Sequence, residues 1–188
     1  TLTTRLLGRP YLDELVGGAD VFFFPHFLTG ATSPRCRRVL TIHDLSFERF
    51  SEFFSLGRRL WHHAQMRPRQ AVGWADRVIA VSESTRDDLV SLYGTNPARI
   101  SVIHSSVDPQ LRPMLKAGTG RRYILALGTL EPRKNISALM RAFQMLGPQF
   151  ADIELVIAGP RGWLWDGCAA ERVTFTGQVS RDDRQRLI

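Results

Sequence analysis

The sequence predicts an α/β protein built from two parallel sheets. Short apolar runs of strand length recur along the chain, and they alternate with segments in which apolar residues follow helical spacing. This alternation is typical of parallel sheets whose strands are joined by right-handed helical crossovers. The hydrophobic pattern lapses at residues 109–120, where Pro and Gly are frequent, and this lapse predicts an interdomain linker. The predicted domains are residues 1–108 and 121–188, each an incomplete sheet, and we expect them to face each other across a cleft.

Composition limits the classes of protein to which this chain can belong. Its 188 residues carry 25 Lys and Arg against 18 Asp and Glu, a formal net charge of +7. This excess favours an anionic partner, either a phosphorylated small molecule or an acidic membrane face. Nucleic acid is disfavoured because the arginines are spread along the chain and form no clustered patch. Cys36 and Cys168 lie far apart without metal-ligand spacing, which indicates reduced thiols in a cytoplasmic protein.

Four apolar runs predict the strands of the first domain: residues 21–24, 39–42, 77–81 and 100–103. Helical spacing predicts a helix over residues 56–74, in which Pro68 is expected to produce a kink or a break. The spacing of Ser84 and Asp87 predicts an N-terminal cap for the next helix, and Gly94 is expected to end it.

The most informative segment is a predicted strand, turn and helix at residues 123–143. An apolar run at residues 123–127 ends at Gly128, and apolar residues at helical spacing begin after Arg133 and Lys134. A helix N-terminus presents unpaired N–H groups and the positive end of the helix dipole, so two further cations there oppose helix formation unless an anion binds. Gly128 would let a ligand approach the backbone closely. These three residues are therefore predicted to bind a phosphate or diphosphate, with a pair of solvated surface cations as the alternative.

The remainder of the second domain continues the alternation. Apolar runs at residues 153–158 and 173–175 predict two further strands, and the first of them ends at Gly159. Ser180 has the position of an N-terminal cap for a last helix.

Polar residues and glycines follow several predicted strands, at the sheet edge where ligands bind in parallel α/β proteins. Besides the residues named above, the candidates at this edge are His26, His43, Asp44, Ser82 and Glu83. We expect His43 to donate a proton or a hydrogen bond to a substrate, or else to fix a loop. Asp44 is expected to orient the His43 ring or to stabilise a turn. His62 and His63 are adjacent on a predicted helix and point about 100° apart, so we predict no metal site there or elsewhere.

Seven motifs occur in one order along the chain. They are A-D-V-F-F-F-P-H, V-L-T-I-H-D-L, A-D-R-V-I-A-V-S-E-S-T-R-D-D-L, I-S-V-I-H-S-S-V-D, I-L-A-L-G-T-L-E-P-R-K-N, L-V-I-A-G-P and V-T-F-T-G-Q-V-S. In this order they resemble the group 1 (family 4) glycosyltransferases. The T-I-H-D-L-S-F version is most similar to bacterial mannosyltransferases and related enzymes of surface-polysaccharide assembly.

The resemblance implies a GT-B architecture of two Rossmann-like domains and a retaining sugar transfer without an essential metal or other cofactor. It implies a nucleotide-sugar donor, with GDP-mannose as the first choice, and a glycan or lipid-linked acceptor. By the same resemblance Arg133 and Lys134 would contact the donor diphosphate, Gly128 would lie beneath it, and His43 would lie near the transferred sugar. The V-S-E-S element that contains Ser82 and Glu83 would lie at the interdomain face.

Two segments of the family pattern do not occur in these residues: an N-terminal Gly-rich loop and a C-terminal pair of glutamates separated by seven residues. We therefore expect the chain to be the middle of a larger enzyme and to be inactive alone. A basic enzyme acting on a lipid-linked acceptor is expected in the cytoplasm, with peripheral contact to the anionic inner membrane face. The alternatives are a non-catalytic module that binds nucleotide sugars or phosphosugars, and an epimerase of the same fold.

Overall fold

The computed structural model describes residues 8–61, 66–107, 122–162 and 170–188. Contacts divide the chain into two compact units, Thr1–Ser106 and Val107–Ile188. Several predictions fall outside the described ranges: the linker at residues 109–120, and the side chains of His62, His63 and Cys168. The family resemblance also implies that residues 1–108 belong to the acceptor-side domain and residues 121–188 to the nucleotide-sugar-binding domain, and both assignments stay predictions. Within the described ranges no helix is long and apolar enough to cross a membrane.

The first unit has four described strands and five described α-helices. In chain order they are α1 (Leu12–Leu15), β1 (Val21–Phe24), β2 (Arg37–Ile42), α2 (Ser46–Arg49), α3 (Leu56–Trp61), α4 (Pro68–Trp74), β3 (Arg77–Ala80), α5 (Glu83–Tyr93) and β4 (Ile100–Val102). All strand pairs are parallel, in the order β1-β2-β3-β4. Leu40 of β2 stands opposite Phe24 and Val78 in the register, and all three are buried, so the centre of the core lies across these strands.

A break occurs at Pro68 in the helix predicted at residues 56–74, which confirms one of the two effects expected of this proline. Pro68 is the first residue of α4, where its missing N–H costs no intrahelical hydrogen bond. The residue before it, Arg67, has a left-handed backbone with φ 41° and cannot continue a helix. Arg67 and Pro68, which share one peptide bond, therefore cause the break.

The cap predicted for the next helix is wrong by two residues. Ser82, and not Ser84, is the N-cap of α5, because its extended backbone precedes the helix and its Oγ accepts a hydrogen bond from the Thr85 N–H at 3.1 Å. Ser84 lies within the first turn. The predicted end of the helix is confirmed, since Gly94 adopts φ 66° directly after Tyr93.

The second unit has three described strands and two described α-helices. They are β5 (Arg122–Leu127), α6 (Ile136–Gln144), β6 (Ile153–Ala158), β7 (Val173–Gly177) and α7 (Arg181–Leu187), and the parallel strands follow the order β5-β6-β7. Ile136, Met140 and Phe143 form one face of α6 and pack against Leu155 and Ile157 of β6. The predicted helical spacing is therefore the spacing of a core-facing stripe. The predicted fold class, α/β with two groups of parallel strands, is confirmed.

Asp76 joins the starts of β2 and β3. Its carboxylate accepts hydrogen bonds from the Arg38 backbone N–H at 2.9 Å and from the guanidinium groups of Arg38 and Arg37 at 3.0 and 3.1 Å. Desolvation by itself would raise the pKa of Asp76, but the hydrogen bonds from Arg38 and Arg37 lower it to about 2. The ionised carboxylate is therefore the form that holds the two strands together.

We expect Asp76→Asn to lower the free energy of unfolding by about 1–2 kcal/mol at neutral pH, a value reduced because the carboxylate is partly exposed. The folded-state pKa lies below the ordinary value of 3.8, so this stabilisation is present above pH ~4 and is lost as the pH falls towards 2. Urea unfolding of the full-length protein across this pH range measures the difference, with the exposed Asp87→Asn as the control. If the difference in unfolding free energy between the wild type and Asp76→Asn did not decrease below pH ~4, the stabilising role of the ionised Asp76 carboxylate would be contradicted.

Candidate functional site

His43 is the first residue after β2, and two neighbouring segments fix it at the carboxyl edge of the first sheet. Its Nε2–H donates a hydrogen bond of 2.9 Å to the carbonyl oxygen of Pro25, the residue that follows β1. Its own carbonyl oxygen accepts a 3.2 Å hydrogen bond from the Thr85 hydroxyl, in the first turn of α5. Because a carbonyl oxygen can only accept, the neutral His43 ring carries its proton on Nε2, and Nδ1 is the nitrogen with a free lone pair.

A second histidine lies beside His43. The ring centroids of His26 and His43 are 6.1 Å apart, and His26 packs against Phe27 with 3.9 Å between centroids. The His26 Nδ1 is buried and has no hydrogen-bond partner among the described residues. Desolvation, followed by the charge of His43, lowers the pKa of His26 against an opposing effect of Asp44, so His26 is neutral at neutral pH. The sequence predicts His26 at this edge but indicates no role for it. The approach of the two rings depends on the pairing of β1 with β2, which the sequence does not show.

Asp44 makes the turn contact that was one of its two predicted roles. Its Oδ1 accepts hydrogen bonds from the Ser46 backbone N–H at 3.0 Å and from the Ser46 hydroxyl at 2.6 Å. Both contacts stabilise the start of α2. The carboxylate remains exposed at the strand edge beside His43. Its participation in binding stays a prediction.

Ser82 and Glu83 both have structural partners. The Ser82 hydroxyl caps α5 and also lies 2.9 Å from the Thr85 hydroxyl, which itself holds His43. Glu83 forms an exposed ion pair of 2.7 Å with Arg86, one turn along the same helix. Ser82 therefore supports His43 through Thr85, whereas a cleft role for Glu83 stays a prediction.

The carboxyl edge of the second sheet is lined by backbone. Its three strands β5, β6 and β7 run into Gly128, Gly159 and Gly177, all at positive φ. The Gly128 N–H donates to the Ala158 carbonyl at 3.0 Å, and the Gly159 N–H donates to the Gly177 carbonyl at 2.8 Å. A Cβ on Gly159 would lie 2.0 Å from the Gly128 carbonyl oxygen, so this position has no room for a side chain. The N–H groups of Gly128 and Gly159 are therefore both used within the protein, and neither position carries a side chain at this edge.

Lys134 lies above this edge. Residues Pro132–Lys134 form a 3-10 turn, Asn135 adopts φ 49°, and α6 begins at the next residue without a side-chain cap. The Cε of Lys134 is 3.7 Å from the position that a Cβ on Gly128 would occupy. The structure therefore brings the ammonium group, the glycine and the uncapped helix start together, as the sequence predicted. No ion pair of Lys134 occurs within the described residues.

Arg133 differs from Lys134 because it has a counter-ion inside the protein. Its guanidinium Nε forms an ion pair, without the geometry of a hydrogen bond, with Oε1 of Glu131, which is only 3% exposed. A buried carboxylate needs such a partner. Arg133 therefore neutralises Glu131, and its charge is only partly available to an external anion. Lys134 has its full charge available for such an anion.

No group of three His, Cys, Asp or Glu side chains in the described part of the chain converges as a metal site. A cavity of about 680 Å³ in the first unit is lined by Glu48, Arg67, Arg69 and Tyr93 among others, and contains none of the predicted site residues. In it the Tyr93 hydroxyl donates a 3.0 Å hydrogen bond to Glu48. Two of its polar side chains, those of Tyr93 and Glu48, thus already bind each other.

We expect Gly159→Ala to lower the stability of the second unit by at least about 2 kcal/mol, because the added methyl group meets the Gly128 carbonyl and φ 156° disfavours a side chain. Gly73→Ala is the matched control, since a Cβ there meets no atom within 4 Å. This control lies in α4 and should be neutral or slightly stabilising. Thermal unfolding checks both, and an equal effect of the two variants would show that the Gly128–Gly159 approach can relax.

Comparison with known proteins identifies the family. Residues 5–111 match the family model described as Glycosyltransferase Family 4, which is more than half of the chain. O-antigen chain mannosyltransferase B of Escherichia coli is 29% identical, over 91% of this chain and 46% of that protein. D-inositol 3-phosphate glycosyltransferase of Mycolicibacterium gilvum (strain PYR-GCK) is 34% identical, over 63% of this chain and 31% of that protein. The chain thus spans half or less of the length of these relatives.

Solved structures support the fold. WaaG, a glycosyltransferase involved in lipopolysaccharide biosynthesis, superposes with a TM-score of 0.66 over 92% of this chain and 52% of its own, at 16% identity. Sucrose-phosphate synthase from Thermosynechococcus elongatus gives a TM-score of 0.62 over 91% of this chain and 48% of its own, at 17% identity. These likenesses confirm the GT-B type of fold predicted from the motifs. The chain belongs to glycosyltransferase family 4.

Proposed function

We propose that the full-length protein is a retaining glycosyltransferase that moves a sugar from a nucleotide-sugar donor to a glycan or lipid-linked acceptor. The observation that carries the proposal is the junction at the end of β5, where the Lys134 side chain passes over Gly128 beside the uncapped start of α6. Backbone N–H groups, a cation and a glycine are the parts of a diphosphate site. Membership of glycosyltransferase family 4 supports a nucleotide sugar as the source of that diphosphate.

The cations act on the leaving group. Breaking the bond between the sugar and the diphosphate develops negative charge on the departing nucleoside diphosphate. Lys134 and Arg133 offset this charge, and the α6 N-terminus adds its partial positive charge. Gly128 leaves room beneath the Lys134 side chain for a phosphate oxygen. The proposal needs no metal and no other cofactor.

His43 acts at the sugar. Its Nε2–H is held by the Pro25 carbonyl, so Nδ1 is the atom that accepts a hydrogen bond from a hydroxyl of the transferred sugar. The Pro25 carbonyl holds the ring and the Thr85 hydroxyl holds the His43 carbonyl, so the ring keeps one orientation, which is what positioning catalysis requires. In the same proposal Asp44, the next residue, and Ser82, which acts through Thr85, support His43, and Glu83 is a further group of the cleft.

Mannose is the sugar of first choice and GDP-mannose the donor. The support is the similarity to a protein named O-antigen chain mannosyltransferase B and to the motif pattern of such enzymes. A lipid-linked acceptor fits the net charge of +7, which favours peripheral contact with the anionic cytoplasmic face of a membrane. The protein is therefore proposed to work in the cytoplasm at that surface.

We expect Lys134→Ala to weaken nucleoside diphosphate binding by about 1–3 kcal/mol without loss of stability, since a charge-assisted contact is removed and no internal partner is stranded. Arg133→Ala should weaken binding similarly but also destabilise the fold, because Glu131 would stay buried without its counter-ion. Calorimetric titration of the full-length protein with GDP, UDP, dTDP and ADP measures the affinities, with GDP expected to bind most tightly.

Two controls separate these effects. Arg141→Ala removes an exposed cation later on α6 and should change neither quantity. Combining Arg133→Ala with Glu131→Gln should recover stability but not affinity. Unchanged affinity in Lys134→Ala, with folding intact, would return both cations to ordinary surface residues and remove the main support for the proposal.

We expect His43→Gln to lower kcat by about 10- to 100-fold, because it retains a donor towards the Pro25 carbonyl but loses the acceptor at the Nδ1 position. His43→Asn keeps a polar atom near Nδ1 and should retain more activity. Steady-state kinetics of both variants gives the comparison, and nucleoside diphosphate affinity should be unchanged. The control is His104→Gln. His104 follows β4, and its Nδ1 lies 3.2 Å from the Val81 carbonyl oxygen. Higher activity in His43→Gln than in His43→Asn would assign the function to the anchor instead of Nδ1.

A further inference from the structure

His26 lies beside His43 at the carboxyl edge of the first sheet and has no role in the proposed function. Its ring packs against the ring of Phe27 with 3.9 Å between the centroids. Phe27 is only 6% exposed and packs in turn against Phe47 of α2, with 6.1 Å between the ring centroids. The core and the pairing of β1 with β2 therefore hold the His26 ring at its distance of 6.1 Å from the ring of His43.

The two nitrogen atoms of the His26 ring have different surroundings. Nδ1 is buried without a hydrogen-bond partner among the described residues, whereas Nε2 is not buried in this way and the ring as a whole is only partly buried. Desolvation lowers the pKa of His26, so the ring is neutral and carries one proton. Buried N–H groups without a partner are rarer in proteins than buried acceptors without one. The proton therefore lies on Nε2, and the lone pair lies on the buried Nδ1.

His26 and His43 then provide opposite hydrogen-bonding groups at the same edge. His26 has the Nε2–H donor, and His43 has Nδ1 as an acceptor, because its own Nε2–H is used by the Pro25 carbonyl oxygen. Two hydrogen bonds of about 2.8 Å from one oxygen atom reach nitrogen atoms up to about 5.6 Å apart, which is close to the 6.1 Å between the ring centroids. A hydroxyl group both donates and accepts, so the two histidines match one hydroxyl group.

We propose that His26 is a second sugar-binding residue, and that His26 and His43 together bind one hydroxyl group of the transferred sugar. The Nε2–H of His26 donates a hydrogen bond to the hydroxyl oxygen, and the hydroxyl group donates its hydrogen to Nδ1 of His43. A sugar without this hydroxyl group leaves both nitrogen atoms unpaired, so the two residues discriminate against it. The inference rests on the proposed role of His43 at the sugar and adds a second residue and a substrate preference to it.

Calorimetric titration of the full-length protein with GDP and with GDP-mannose tests the role of His26. We expect His26→Phe to leave the affinity for GDP unchanged and to weaken that for GDP-mannose about five- to tenfold, because one hydrogen bond to the sugar is lost. The variant should remain folded, since a phenyl ring keeps the contact with Phe27 and replaces the unpaired Nδ1 by a C–H group.

Two further variants are the controls for His26→Phe. His26→Gln places an amide nitrogen near the position of Nε2, so it should bind GDP-mannose almost as tightly as the wild type. His104→Phe changes another histidine that follows a strand of the same sheet, and it should bind both nucleotides like the wild type. An unchanged affinity of His26→Phe for GDP-mannose would overturn the inference.

Deoxy derivatives of GDP-mannose identify the hydroxyl group. When each mannose hydroxyl is replaced in turn by hydrogen, one derivative should bind the wild type at least as weakly as GDP-mannose binds His26→Phe. That derivative should lose no further affinity in His26→Phe, because the two changes remove the same contact. If the losses were additive for every derivative, His26 would not bind a hydroxyl group of the transferred sugar.

The outcomes separate this inference from the proposed function. Nitrogen NMR spectroscopy of the imidazole rings needs no substrate and should show the proton of His26 on Nε2. A proton on Nδ1 would overturn the inference and leave the transferase proposal standing. Weaker GDP-mannose binding in His43→Gln, with none in His26→Phe, would do the same. Unchanged GDP-mannose binding in both variants would contradict the proposed role of His43 as well.

Discussion

The close approach of the Gly128 and Gly159 backbones is the contact on which the second unit and its candidate site depend. Neighbouring parallel strands deliver the two residues to the same edge, and a Cβ on Gly159 would lie 2.0 Å from the Gly128 carbonyl oxygen. The absence of side chains lets the chain turn sharply into the segment that carries Glu131, Arg133 and Lys134. The same turn carries the Lys134 side chain over Gly128, a position that has no side chain of its own.

The two cations at this turn show how burial divides chemically similar residues. Arg133 is tied to a carboxylate that is almost completely buried, whereas the Lys134 chain passes over Gly128. Arginine suits the first task because its planar guanidinium holds charge in a partly dry setting, and lysine suits the second because its compact ammonium can move to meet phosphate oxygens. One residue of the pair therefore neutralises a buried carboxylate, while the other extends over Gly128 and is the one proposed to bind phosphate.

The strands and α6 could be predicted from sequence because each depends on a local periodic pattern. Continuous apolar runs gave β1, β2 and β6, and the spacing of Ile136, Met140 and Phe143 is a property of the helix alone. Glu131 could not be predicted, since a glutamate before a proline in a turn ordinarily remains in water. Its burial follows from tertiary packing.

Dependence on tertiary packing also explains the other features that the sequence did not predict. Ser82 and Ser84 both have cap-like spacing, and the choice between them depends on where β3 leaves the sheet. The His26–His43 approach depends on the pairing of β1 with β2. In the first unit, predicted edge residues are brought together only through such pairing.

The anchor of His43 has a consequence for how this site varies. The acceptor that holds Nε2 is the carbonyl oxygen of Pro25, a main-chain atom that every amino acid possesses. No substitution of the side chain at that position can delete the acceptor. The ring is therefore oriented by the path of the chain after β1, and sequence drift around it can alter shape and polarity while the tautomer of His43 is preserved. Side chains around such a site can change while the orientation of its histidine stays the same.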